Sequence, residues 1–461
     1  MHRYLGDRVF FRRTLATALP IILQNLITNF VSLLDNIMVG QLHTAQISAV
    51  TIVNNNLLFI FYLCLFGCIS CGGIFTTQFY GCDNQEGIRY TARFKLICAM
   101  ILIVVGSGVF YFGSDLLVGL YLKGEGDAAL AADTLFYGRQ YLHIMILGII
   151  PFSITNAYAG TLRECGHPTV PMVAGFIATF VNLVFNYLLI FGHLGLPAMG
   201  VAGAAVATVI SRYVELAIVV IWTHRNPEKN PYIQGLFHSF RIPLPLLRSI
   251  LSKGFPLIAN ETLFSAGLAI LNQCYSVCGL DVVPALSISS TICNLTAVVY
   301  RSLGSTVGII TGQMLGAGHT REEMFDSNRK LTTLCLIAGS LFAIVTGALA
   351  WTFPLVFNTT DTVRQLAAVM ILITAVAMPL QAYIHPVYFT LRAGGKTLIT
   401  FLFDCGSIWL LSIPLAFVLT RFTSLSIIPI FALCNAMDII KCVIGKFMIR
   451  KGTWIQNLTV Q

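Results

Sequence analysis

The sequence predicts an all-α polytopic membrane protein, with twelve transmembrane helices in two six-helix bundles related by a pseudo-two-fold axis along the membrane normal. Three observations predict it. Of 461 residues, 56% are hydrophobic and only 10% charged, against roughly 25% charged in a soluble domain. Lipid must therefore solvate most of the exterior, in keeping with a mean hydropathy of +0.81. Twelve apolar runs are long enough to cross a bilayer, and the basic residues alternate between their connections as an even number of spans requires.

The runs cover about 14–40, 47–75, 93–114, 135–158, 170–192, 199–223, 250–275, 282–311, 330–353, 365–390, 397–420 and 424–447. Each supplies the ~20 residues that a spanning helix needs. Their continuous apolarity excludes a barrel, whose strands alternate apolar and polar over ~10 residues. The first run extends past Met38 and carries Gln24, Asn25, Asn29 and Asp35. It is too long and too polar for a cleaved signal and reads as the first transmembrane helix.

Charge sets the orientation. Counting termini and alternate connections together, twenty-two Lys and Arg fall on one side, and only Lys123, Arg364 and Arg421 on the other. Arg89, Arg93, Lys95, Arg163 and, at the end, Lys441, Lys446, Arg450 and Lys451 belong to the richer side. The positive-inside rule places both termini in the cytoplasm. The net charge of +9 thus serves topology. No basic stripe interleaved with aromatics suggests a nucleic-acid partner.

Thirteen cysteines are scattered. Cys68 and Cys71 form a C-x-x-C inside an apolar run with no further zinc ligand nearby, so buried free thiols are expected. No H-E-x-x-H or G-x-S-x-G occurs in a span, which argues against a membrane-embedded enzyme. No cofactor is expected.

The chain repeats itself once. Leu19-Pro20-Ile21-Ile22 recurs as Phe255-Pro256-Leu257-Ile258. Thr77-Gln78-Phe79-Tyr80-Gly81 resembles Thr311-Gly312-Gln313-Met314-Leu315-Gly316. Pro151 with Thr161-Leu162-Arg163 matches Pro379 with Thr390-Leu391-Arg392. Three matches in one order imply two halves: residues 1–223, a basic cytoplasmic linker 224–249, and residues 250–461. Six spans per half insert both halves the same way up, and parallel repeats of this kind place substrate near the midplane between them.

Ionisable residues inside a span cost ~2.5–3.5 kcal/mol on insertion scales and mark function by default. At 100° per residue, Gln24, Thr28 and Asp35 share one stripe of the first helix, and Asn25, Asn29, Ser32 and Asn36 the stripe beside it. The alternative for Asp35 is that it ends the helix near the outer surface. In the seventh helix Glu261 shares a face with Ser265 and Asn272. By the repeat offset Glu261 takes the place of Asn25, and Leu271 that of Asp35. The alternative for Glu261 is a helix–helix strut. Asn182 and Asn186 share a face of the fifth helix, where amide bonding between helices is the alternative. His385 precedes Pro386 in mid-span, where a histidine can titrate; the alternative is that it caps backbone freed by the proline. Asp404 and Asp438 are further acids with no partner evident, and Glu215 is expected to pair with Arg212.

Pro20 to Gln24 followed by Leu34-Asp35-Asn36-Ile37-Met38-Val39-Gly40 resembles the first-helix signature of the multidrug and toxic compound extrusion (MATE) family. So do Asn182 to Phe191, Met199 to Thr208, and Thr390-Leu391-Arg392-Ala393-Gly394-Gly395. The resemblance spans nearly the whole chain and looks like that of a bacterial member. It implies two six-helix lobes around a V-shaped cavity in a bacterial inner (plasma) membrane. It also implies efflux of amphipathic, mostly cationic drugs by antiport with H⁺ or Na⁺. The family's N-lobe cation site falls on Asp35, Asn182, Asn186 and Thr208, with Asp35 the ligand if the ion is Na⁺. Many relatives carry a second Asp where this chain has Asn186. The seventh-helix Glu of the C-lobe site is matched by Glu261. Its tenth-helix Asp is not matched, and His385 lies in that region. Pro20, Gln24, Asn25, Asn29, Asn272 and His385 are the expected cavity or switch residues. The expected partners are small organic cations, the coupling cation and the bilayer, around a monomer. A lipid-linked oligosaccharide flippase of the same superfamily is the alternative. Such a protein should line its cavity with several Arg or Lys, whereas Arg301 is the main candidate here.

Overall fold

The computed structural model describes residues 6–122 and 127–459, apart from the side chains of Leu33 and Asn36. Arg3, Lys123 and the side chain of Asn36, all used in the sequence reading, lie outside the described residues. Twelve helices long and apolar enough to cross a membrane follow one another. They are α1 (Arg8–Val39), α2 (Thr44–Gly81), α3 (Gln85–Gly119), α4 (Ala128–Glu164), α5 (Thr169–Phe191) and α6 (Val201–Arg225) in the first half of the chain. The second half supplies α7 (Leu244–Ser276), α8 (Val282–Gly316), α9 (Arg321–Leu349), α10 (Asp361–Ala393), α11 (Thr397–Phe422) and α12 (Ile427–Lys451). No strand occurs among the described residues.

Several helices begin where local chemistry satisfies their free N–H groups. Asn84 caps α3 by accepting from Gly87 N at 2.8 Å, and Asp127 caps α4 from Ala129 N at 2.9 Å. Thr320 and Glu323 form a reciprocal capping box at the start of α9. Helices α5 and α12 end on Gly192 and Gly452, both left-handed at φ 75° and 70°. Two helices widen locally into π turns, α2 over Val53–Leu58 and α11 over Ile408–Ser412.

Contacts divide the chain into two compact units. The N unit comprises Leu23–Thr76 and Asn84–Ile250. The C unit comprises Met1–Ile22, Thr77–Asp83 and Leu251–Gln461. The start of α1 groups with the C unit because Ala18 is buried among Val299, Leu303, Val307 and Leu331. The end of α2 does so because the two copies of the Gln–Gly repeat motif touch. A Cβ at Gly81 would overlap the Gln313 carbonyl, and one at Gly316 would overlap the Gln78 carbonyl. The contact is reciprocal, as a two-fold relation between repeats requires. Only glycine admits so close an approach of backbones.

Each unit is closed at one end by chain that leaves its last helix. In the N unit, Arg93 binds the carbonyls of Leu236 (2.9 Å), Gly235 (2.6 Å) and Arg241 (3.2 Å) in the segment after α6. In the C unit, the Gln78 amide donates to Ala393 O at 2.8 Å and accepts from Leu458 N at 2.6 Å. Trp454 is fully buried beside them.

Four residues counted with the loops are corrected here. Lys95 is fully buried in α3 and pairs with Glu164, its ammonium also donating to Thr161 at 3.1 Å. Arg93 is buried as described. Arg163 sits in the last turn of α4 and donates to Gln24 Oε1 at 3.3 Å. Lys441 is buried within α12 and pairs with Asp404. Each long side chain reaches a partner inside its unit, which a sequence count cannot see. The thirteen cysteines are free thiols.

Candidate functional site

In the N unit, the α1 stripe resolves into two kinds of polar residue. Thr28, Asn29 and Ser32 bond back to carbonyls four residues earlier, at 2.9, 2.7 and 3.0 Å. Such residues need no protein partner, because their own helix satisfies them. Asn25 is exposed on the same segment. Gln24, by contrast, faces Arg163.

Asp35 lies one helical turn before the end of α1. Its Oδ1 accepts from Asn186 Nδ2 at 2.6 Å. The same amide lies 3.1 Å from Asn182 Oδ1, and Asn182 Nδ2 donates to Thr208 Oγ1 at 3.3 Å. Helices α1, α5 and α6 thus bring Asp35, Asn182, Asn186 and Thr208 into one chain of contacts. Asn182 and Asn186 are 5% and 2% exposed. Asn186 Oδ1 is buried and accepts no hydrogen bond. Among the described residues no cation lies within 4 Å of Asp35. Arg212 does not serve it: its guanidinium donates to Tyr62 OH at 2.6 Å and to Gly148 O at 3.2 Å. These bonds also correct the expected Arg212–Glu215 pair, which is not formed. The geometry gathers carboxylate, amide and hydroxyl oxygens, the ligands of hard cations.

The C unit contains a cavity of about 890 Å³ between α7, α8, α10, α11 and α12. Glu261, Asn272 and His385 all line it. Among the described residues Glu261 has no hydrogen-bond partner; its charged neighbours are Arg392 and Asp404. His385 stands against the Tyr300 ring, centroids 5.6 Å apart, and packs on Gly304.

Here the structure supplies the partners that the sequence withheld. Asp404 pairs with Lys441 at 3.1 Å and accepts from Asn260 Nδ2 at 3.2 Å. Asp438 accepts from Gln381 at 2.5 Å. Asn260, Gln381, Tyr388, Arg392 and Lys441 went unnamed as site residues. Two signals could have found some of them. Asn260 stands at the repeat position of Gln24, and Lys441 is flanked on both sides by apolar residues. The expectation that Arg301 is the main intramembrane cation is also corrected, because Arg392 and Lys441 share its cavity.

The MatE family model matches this chain twice, over residues 20–188 and 256–418. The matches begin at Pro20 and Pro256, the paired prolines of the first repeat motif. The probable multidrug resistance protein NorM of Thermotoga maritima is 22% identical over 448 residues, covering 95% of this chain and 91% of that protein. The probable multidrug resistance protein YoeA of Bacillus subtilis is 24% identical over 422 residues, covering 89% and 87%. Among solved structures, a MATE in the straight conformation superposes with a TM-score of 0.84 at 17% identity, over 98% of both chains. The chain belongs to the MatE family. It is a multi-pass membrane transporter and not an enzyme.

Proposed function

We propose that this transporter exports amphipathic, mostly cationic organic compounds by antiport with H⁺ or Na⁺. In this reading, substrate and coupling ion compete for the charge of Asp35. The observation that carries it is the state of that carboxylate. It lies in a spanning helix, held by the Asn186 amide, with no cation within 4 Å among the described residues. A dehydrated charge without a counter-ion is costly. A proton, a Na⁺ or a cationic drug each relieves that cost, and mutual exclusion at one charge yields antiport. Relatives named multidrug resistance proteins support the drug substrates. The charge split supports a bacterial inner-membrane orientation with cytoplasmic termini.

The flippase alternative gains one observation, three cationic side chains in the C-unit cavity. Glu261, Asp404 and Asp438 offset them, so a pyrophosphate meets no net positive field.

The test is transport by purified protein in proteoliposomes under imposed H⁺ or Na⁺ gradients, with ethidium as substrate. Asp35→Asn protein should fold normally and lose gradient-driven transport. Normal transport by that variant overturns the role of Asp35.

A further inference from the structure

The C-unit cavity holds an ion pair that the proposed antiport at Asp35 does not use. Lys441 and Asp404 lie 3.1 Å apart, their side chains 10% and 18% exposed. An ammonium within an apolar helix is expensive and demands a partner. Asp404 is doubly held, since Asn260 donates to its other oxygen. Asn260 Oδ1, itself buried, accepts nothing. The cavity carries three carboxylates (Glu261, Asp404, Asp438) and three fixed cations (Arg301, Arg392, Lys441), with His385 beside them.

We propose that Lys441 is a tethered counter-cation, which a ligand bearing a primary ammonium, amidinium or guanidinium displaces from Asp404 on entering this cavity. This inference deepens the reading of the protein as an exporter of organic cations and rests on it. Three features carry it. A lysine ammonium is a point charge on a flexible four-carbon stem, so it can leave without unpacking its helix. It has somewhere to go: Asp438 is three residues earlier on the same helix, on the same face, and already lines the cavity. The ligand that replaces it finds Asp404 and, on Asn260, an acceptor with no donor.

The tether also selects. A small inorganic cation competing with Lys441 must give up its hydration and faces a rival at high effective concentration. An organic cation gains in addition the burial of its apolar body against Phe264, Leu268 and Phe431 of the lining. The cavity therefore favours amphipathic cations over metal ions without any residue that excludes metal ions sterically.

Calorimetric titration of the full-length protein in detergent, with phenethylammonium chloride and no gradient, tests this. Lys441→Gln removes the competing charge but keeps a donor to Asp404, and should bind the probe on the order of tenfold tighter. Lys441→Arg strengthens the internal pair and should bind several-fold weaker. Asp404→Asn should lose binding, and changes at Lys441 should then have no effect. Equal or weaker binding by folded Lys441→Gln protein overturns the proposal, as does the absence of binding to every variant. If the Gln variant does not fold, the Arg variant decides, since equal or tighter binding there is equally fatal. Gradient-driven efflux with a flat affinity series sinks this inference alone. The expected series without any efflux sinks the antiport reading instead.

Discussion

The N unit and the C unit each present an aspartate to an asparagine amide, and they differ in what stands on the other side. Asp35 accepts from Asn186, and Asp404 accepts from Asn260. In both, the asparagine oxygen is buried and accepts nothing. Among the described residues only Asp404 of the two has a lysine. The same polar device is thus left open to an external cation in one unit and closed by the chain's own cation in the other. The repeat does not dictate this, because Asp35 corresponds to Leu271 and Asp404 arises on a different helix. The difference teaches that a duplicated scaffold can divide labour, with one half keeping an unbalanced charge and the other balancing it.

The largest test of that contrast is stability. Removing one partner of a buried ion pair strands the other charge, at a cost of about 3–5 kcal/mol. Lys441→Met should therefore lower the melting temperature of the purified protein markedly. Replacing both partners together, as in Lys441→Met with Asp404→Leu, should recover most of the loss. Asp35→Asn breaks no ion pair and removes an unbalanced charge, so it should not lower stability. Equal sensitivity of the two sites would break the comparison.

Much of this architecture was legible beforehand. Twelve spans follow from apolar runs alone, because lipid demands about twenty apolar residues and admits few alternatives. Helices run past their runs, Arg8–Val39 at the start of 14–40 and Asp361–Ala393 at both ends of 365–390, since polar ends outside the lipid still propagate the helix. The N-unit cluster was legible because Asn182 and Asn186 announce themselves by spacing, and the family signature supplies Asp35 and Thr208. The C-unit network was not. Asp404 and Asp438 looked unpartnered, since their partners lie on helices distant in sequence or were taken for topology signals. A lysine inside a span and a lysine in a loop contribute equally to a charge count. Lys441 and Lys446 both lie in α12, and only packing tells the buried lysine from the exposed one.

Glu261 sharpens the comparison at intermediate scale. It lines the C-unit cavity and has no hydrogen-bond partner among the described residues, so the strut role has no bond to support it. Glu261→Gln should keep expression and lower efflux of ethidium several-fold, less than the loss in Asp35→Asn, because two further carboxylates remain in its cavity. Wild-type efflux in cells expressing that variant would confine coupling to the N unit.

Pro20 carries an expected effect no larger than that of Glu261, and the most local cause. It is buried within α1, two residues before the chain passes from the C unit to the N unit. Its ring removes one backbone hydrogen bond and crowds the carbonyl of Ala16, so α1 bends there at lower cost than elsewhere. Upstream, Ala18 is fixed among α8 and α9 side chains; downstream, Gln24 is held by Arg163 and Asp35 by Asn186. A change of charge at Asp35 can bias this helix between two shapes only as far as proton, Na⁺ or drug prefers one of them. Pro20→Ala restores the missing hydrogen bond and stiffens α1 without touching any polar contact of Asp35. Drug affinity in detergent should stay within about twofold, while turnover in proteoliposomes falls several-fold. Affinity falling as much as turnover would show that Pro20 shapes the site itself, and the bend would then have no part in transport.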